Sequence, residues 1–265
     1  MIGRDRRRHH RTADRESTLR LSYTKLSLYN FCPWAYSLRY VEKIRVPFQP
    51  RLLAGAVVHN VISDFLERVR DGLSLSSKDL ETIFDGRWRS AQILDRDGTG
   101  GQRRRALGLV NGFWQSNSAD FGRPLMLEKR FRLPIGSDSI EGIVDRIEDL
   151  GSGDVEVIDY KSGSAPAGDP ARDSLQLSIY ALACRDHWGL QPRRVSLYYL
   201  TDNTKSTATV DAARLEATRA EIVTTGGRIA AADFPPEPGE RCEYCDFAGR
   251  CEFRQEPSSA PEKSG

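Results

Sequence analysis

Val155-Glu-Val-Ile-Asp-Tyr-Lys161 is the stretch on which the fold turns. Successive side chains of a strand point to opposite faces, so Val155, Val157, Asp159 and Lys161 share one. An apolar face therefore ends in an acid and an amine. Buried charge is costly unless it is paired or holds a metal. Two readings stay open at this point: a structural Asp–Lys ion pair, or part of a reactive site. Asp145, in Glu141-Gly-Ile-Val-Asp-Arg146, is a second acid on an apolar strand, flanked on its own face by Ile143 and Ile147. A hairpin joining 139–150 to 154–161 would bring the two carboxylates together as a hard oxygen site for Mg²⁺ or Mn²⁺. A neighbouring lysine suits the orientation of an attacking water and offsets charge developing at phosphorus. Glu128, on the preceding strand, is a weaker candidate and stays outside the expected set.

Outward from this hairpin the pattern is mixed. Residues 125–133, 195–200 and 206–210 read as further strands, and 173–188 and 211–232 as helices. Upstream the chain reads as helical. Ser22 is placed to cap a helix carrying Leu26, Tyr29 and the aromatic run to Tyr40. Residues 55–70 repeat Val57, Val58, Val61, Ile62, Phe65, Leu66 and Val69 at helical spacing, and 78–95 and 104–117 read as two more helices. Between these two, residues 97–105 (Asp-Gly-Thr-Gly-Gly-Gln-Arg-Arg-Arg) read as a flexible loop running into three arginines. Such a run is suited to a phosphate backbone or to plain solvation. Strands followed by an amphipathic helix and another strand predict an α/β fold, a mixed sheet flanked by helices.

Bulk properties narrow the function classes. The 265 residues are 39% hydrophobic and 29% charged, a globular composition. No run approaches the ~20 apolar residues of a membrane span, and no apolar leader follows the charged N-terminus, so a cytoplasmic protein without a membrane partner is expected. A G-x-x-x-x-G-K-[ST] loop is absent, which excludes a P-loop motor in this chain. Seven arginines in residues 1–20, against Asp5, Asp14 and Glu16, carry +4, while the whole chain carries +2. Charge for nucleic acid on the body must therefore be a local patch. Residues 1–17 and 256–265 read as tails, the first either a disordered leader or a basic arm.

Gln176 and Tyr180 lie one helical turn apart on the helix after Lys161, and His59 sits in Gly55-Ala-Val-Val-His59. A lone histidine there is either structural or a ligand. Taken together, Asp145, Asp159-x-Lys161 and Gln176-x-x-x-Tyr180 resemble the PD-(D/E)XK nuclease superfamily, and Gly55-x-x-x-His59 is similar to the histidine motif of its RecB-like branch. The resemblance implies a restriction-endonuclease-like sheet. It implies that His59, Asp145, Asp159 and the carbonyl of Tyr160 hold the catalytic Mg²⁺ or Mn²⁺. Lys161 would serve the water, and Gln176 and Tyr180 would organise the site and contact DNA.

The cysteines number five: Cys32, Cys184, Cys242, Cys245 and Cys251. Cys242-x2-Cys245-x5-Cys251 has ligand spacing but supplies three ligands, and Cys32 is available as the fourth. Spacing leaves zinc and iron–sulfur both open. The upstream cysteine plus C-x2-C-x5-C resembles the iron–sulfur RecB-like nucleases, among them the AddB nuclease domain and the CRISPR-adaptation exonucleases. That resemblance implies a [4Fe–4S] cluster joining the N- and C-terminal segments. Cys184, on an apolar helix, reads as core packing. Trp34, Tyr36 and Tyr40 would pack around the cluster or stack on unpaired bases.

The expectation is one nuclease domain over 18–255, with a helical insert at about 71–124 and a cluster-binding segment at about 234–255. Its activity would be a metal-dependent DNA exonuclease in repair or recombination, acting on single strands or ends, with a helicase as a plausible partner. Two alternatives stand beside it. One is a CRISPR-adaptation nuclease that trims spacers with an integrase partner. The other is a catalytically silent iron–sulfur DNA-binding module.

Overall fold

The computed structural model describes residues 18–46, 50–92 and 100–255. The expected tails and the start of the 97–105 loop lie outside these residues. In chain order the elements are β1 (Arg20–Leu21), α1 (Tyr23–Phe31), α2 (Pro33–Tyr36), α3 (Pro50–Arg70), α4 (Ser77–Ala91) and α5 (Gly101–Asn117). Then come β2 (Pro124–Ile135), β3 (Asp138–Gly151), β4 (Asp154–Lys161), α6 (Leu175–Trp188), β5 (Gln191–Tyr199), β6 (Thr204–Thr209) and α7 (Ala212–Ala230).

The sheet runs β1-β3-β4-β5-β6, with β2 also paired to β3. The β2–β3 and β3–β4 pairs are antiparallel hairpins, and Arg146 opposes Ile158 in the second. From β4 the chain crosses through α6 to β5, which lies parallel to it with Asp159 beside Leu197. A parallel pair needs such a crossover, and a helix supplies it. The sheet is mixed, and helices cover both faces.

Each face has its own core. Val155 and Val157 pack with Leu177, Ala181 and Ile222 under α6 and α7. On the opposite face Ile158 and Tyr160 pack with Val58, Ile62 and Phe65 of α3 and with Val110 and Phe113 of α5. Both faces of β4 are thus buried, as a central strand between helical layers requires. The period-3.6 stripe of α3 is the reason it seats: Val58, Val61, Ile62, Phe65 and Leu66 are fully buried. Segment 71–124 contributes α4 and α5 to this second core.

Two local readings are corrected. The expected helix from Ser22 to Tyr40 breaks at Cys32-Pro33. Proline has no N–H and pushes its predecessor out of the helical region, and Cys32 is extended at φ −166°, ψ 113°. The chain restarts as α2 and ends in a π-helical turn at Ser37–Val41. The three arginines 103–105 lie within α5, which begins at Gly101, and not in a loop. Strand β1, parallel to β3 at Ser139 and Ile140, has no counterpart in the sequence reading.

Candidate active site

The site forms where β2, β3 and β4 meet the flank of α3 and the first turn of α6. Asp145 directly precedes Arg146, which pairs with Ile158 across the β3–β4 hairpin, and it meets β4 at the Tyr160 backbone. Asp145 and Asp159 are both buried, at 9% and 2% exposure. Asp145 Oδ2 accepts from the Tyr160 N–H over 2.9 Å and lies 3.2 Å from His59 Nδ1. Lys161 Nζ sits 2.7 Å from Asp159 Oδ2 and donates to Gln176 Oε1 over 2.7 Å. Gln176 Nε2 in turn donates to the Tyr180 hydroxyl over 2.9 Å. The crossover helix thus reaches back to hold the amine at the end of β4.

Glu128, a weaker candidate outside the expected set, lies in this group. Ligand atoms of His59, Glu128 and Asp145 lie within 4.8 Å of one another, the one such group of three among the described residues. Its placement has a backbone cause. Leu127 stays opposite Arg146 and Lys129 opposite Val144, so the β2–β3 register does not shift. The side-chain alternation nevertheless slips. Leu127 faces the α3 core while Phe131 and Leu133 face the α6 core. Likewise Ile140 and Val144, and then Ile147, share the α6 core. The slip falls on Glu128 and Asp145, the opposed pair missing from the ladder, and Glu128 is left-handed at φ 47°. Non-glycine residues in that region store strain and concentrate at functional sites. The slip also puts Val144, not Ile143, in the core beside Asp145.

Electrostatics follow the crowding. Burial and the Asp145 charge push the Glu128 carboxyl up to about 7. Burial and Asp145 also raise Asp159, against the pull of Lys161. For His59, burial works against the imidazolium, but the hydrogen bond to Asp145 and the surrounding carboxylates outweigh it, and its pKa is raised. Burial raises the Tyr180 phenol well above its ordinary value, which keeps it protonated.

The model of the PD-(D/E)XK nuclease superfamily matches residues 20–252 of this chain. The chain belongs to that superfamily. It is also similar to the Gene 69 proteins of Mycobacterium phages L5 and D29. Each is 24% identical, over 87% of this chain and 95% of the phage protein. Among solved structures, a Eubacterium rectale protein named as a candidate exonuclease shares the fold, with a TM-score of 0.52 at 12% identity over 90% of both chains.

PD-(D/E)XK nucleases work with divalent cations, and the residues present fit one. The donor set is three carboxylates, hard oxygen donors suited to Mg²⁺ or Mn²⁺, and one borderline imidazole that Mn²⁺ also accepts. Asp159 Oδ2 is fully buried and accepts no well-directed hydrogen bond, despite its contact with Lys161. Burial first and the Asp145 charge second raise the Glu128 and Asp159 carboxyls, and a cation would relieve that cost. His59, Glu128 and Asp145 would hold it, with Asp159 at its edge. From the Tyr160 backbone the contact to this group is the N–H on Asp145. The Tyr160 side chain lies on the other face, where its hydroxyl accepts from Arg146 over 3.2 Å.

Elsewhere, Cys32, Cys242, Cys245 and Cys251 line one recess beside Trp34 and Phe247. Burial and the three other cysteines raise the Cys245 thiol. The four sulfurs do not gather within 4.8 Å of one another as the carboxylates do. Tyr36 stacks on Phe234 and meets Tyr29 and Tyr40, and Trp34 packs edge-on against Phe253, so these aromatics serve packing. Cys184 is fully buried in the α6 core, and burial pushes its thiol up to about 12. Among the described residues no helix is long and apolar enough to cross a membrane.

Proposed function

We propose that the chain is a metal-dependent DNA exonuclease of the RecB-like type, working in repair or recombination. The observation that carries this reading is the Lys161 amine, held between Asp159 and Gln176 beside the His59–Glu128–Asp145 group. A divalent cation bound there would supply Lewis-acid stabilisation of the charge developing on the phosphate. The protein supplies the rest. Lys161 keeps one proton free to orient a water or meet a phosphoryl oxygen, Gln176 fixes the amine, and Tyr180 fixes Gln176. The Eubacterium rectale protein of the same fold is itself named as a candidate exonuclease, which agrees with this reading. Residues 18–255 act as one catalytic unit in this reading.

The proposal includes a [4Fe–4S] cluster on Cys32, Cys242, Cys245 and Cys251. Four soft donors in one recess support it. A tetrahedral zinc, with Zn–S near 2.3 Å, would draw its sulfurs to roughly 4 Å apart. The choice of iron–sulfur over zinc rests on the resemblance of the C-x2-C-x5-C pattern with its upstream cysteine to the iron–sulfur RecB-like nucleases.

The deciding assay uses end-labelled single- and double-stranded DNA with Mn²⁺ or Mg²⁺, on protein purified without oxygen. Metal-dependent shortening by the wild type and none by Lys161→Ala is expected. Equal cutting by both would remove the site assignment. No cutting by well-folded wild type would favour the silent binding module.

A further inference from the structure

A second recess opens one turn from the metal group. It encloses about 550 Å³ between α3, α5 and the loop after Lys161. That is within the range of roughly 300–1,000 Å³ typical of small-molecule sites. Gly55, one turn before His59, and Ser162, next to Lys161, form the edge shared with the active site. The walls are apolar: Val58, Leu109, and Leu52, which is 66% exposed. Two polar features interrupt them. Arg105 is exposed and makes no ion pair among the described residues. Gln102 Oε1 is buried and has no hydrogen-bond partner, a costly state that a ligand donor would relieve. Gly101 and Gln102 belong to the first turn of α5, which no side chain caps.

We propose that this recess takes one unpaired nucleotide of single-stranded DNA, adjacent to the phosphate being cut. The base lies on Leu52, Val58 and Leu109, a base N–H reaches Gln102 Oε1, and a phosphate meets Arg105. Apolar walls suit a base face, and a lone arginine at the rim suits one backbone charge. A base stacked within a duplex cannot enter a recess without leaving its stack. The inference rests on the nuclease reading and names the substrate of that site: a strand whose terminal bases are free.

The test is fluorescence anisotropy of a labelled short oligodeoxynucleotide in Ca²⁺, with the wild type, Leu52→Ala and Arg105→Gln. Both residues are exposed, so folding is expected to survive, and unchanged melting curves would verify it. Leu52→Ala should weaken binding about tenfold, because the shortened side chain no longer covers the base. An abasic nucleotide at the strand end should weaken wild-type binding similarly. Combined, the two should cost little more than either alone, because both remove the same packing of base on leucine. Arg105→Gln should lower the slope of log K against log salt by about 0.7. Binding that is unchanged in the variants, additive losses, or equal affinity for duplex would overturn the proposal. Cleavage by the wild type and not by Lys161→Ala is a separate readout. If cleavage fails while the binding cycle holds, the nuclease reading falls and the recess stands. The reverse result removes the recess alone.

Discussion

The backbone N–H of Tyr160 donates to the same Asp145 oxygen that faces His59 Nδ1, at 2.9 Å and 3.2 Å. Three elements therefore meet on one atom: β3 carries it, and β4 and α3 hold it. An asparagine at 145 keeps the volume but offers one acceptor oxygen and a donating amide NH2 where two oxygens stood. Asp145→Asn is expected to weaken Mn²⁺ binding at least about tenfold. Titration calorimetry with Mn²⁺ would measure this, and unchanged affinity would place the cation elsewhere.

Lys161, Gln176 and Tyr180 form a chain in which each member fixes the next. Their substitutions should therefore be graded. Lys161→Ala should lower kcat by about 10²–10³, the range for losing one donor aimed at developing charge. Gln176→Leu should lower it about tenfold with KM unchanged, because Asp159 still holds the amine. Tyr180→Phe, which removes only the brace on Gln176, should cost less. A kcat for Tyr180→Phe as low as that of Lys161→Ala would show that the chain of roles is wrong.

The strand Val155–Lys161 was legible because strand alternation puts Asp159 and Lys161 on the face of Val155 and Val157, and the structure packs both valines under α6. Asp145 followed from the hairpin. Glu128 did not follow, because nothing in Leu127-Glu-Lys129 marks a left-handed residue inside a strand. The slip in alternation is a tertiary property of two paired strands, and period-two reading assumes it away. Pro33 marks the end of the first helix in the sequence, but the aromatic run to Tyr40 continues beyond it, so the run alone does not show the break. The recess beside Lys161 depends on α5 lying against α3, a packing relationship that local pattern does not encode.

Glu128 carries a cost in two forms, a left-handed backbone and a carboxyl crowded by Asp145. Asparagine tolerates the left-handed region and is uncharged. Glu128→Asn is thus expected to stabilise the metal-free protein by about 1 kcal/mol, or roughly 2–4 °C in Tm. The same change should weaken Mn²⁺ binding. Differential scanning calorimetry in chelator and in Mn²⁺ separates the effects. A lower Tm in chelator would show that Glu128 makes contacts worth more than its strain.

Glu156 is 2% exposed on the face opposite Asp159, and Arg194, Lys205 and the Ser196 hydroxyl surround its carboxylate. Burial alone would raise its pKa, but these partners hold it below the ordinary value. A depressed folded pKa gives stability that is present above the unfolded pKa of about 4.3 and is lost as pH falls through the folded value. Glu156→Gln should therefore cost about 1–3 kcal/mol at neutral pH. The gap should begin to narrow as pH falls below the unfolded pKa of about 4.3 and close only below the depressed folded value, where the wild-type carboxyl is protonated too. Urea unfolding at both pH values measures it. A gap that persists in acid would assign the loss to packing.

Cys32 stands at the α1–α2 break, and Cys242, Cys245 and Cys251 follow α7, so one cofactor would tie the two ends of the chain together. The loop it closes is about 200 residues, and closing a long loop removes unfolded-state entropy. By analogy with other cross-links the gain is about 5 kcal/mol, or roughly 10–20 °C in Tm. Protein purified without oxygen is expected to hold about four irons and four inorganic sulfides, with a brown absorption band. Cys245→Ser should lose the iron and that margin of Tm. Cys184→Ser lies in the α6 core and should keep the iron. Stoichiometric zinc in place of iron would retain the brace and change its chemistry. Neither metal, with an unchanged Tm in Cys245→Ser, would return the four cysteines to ordinary packing.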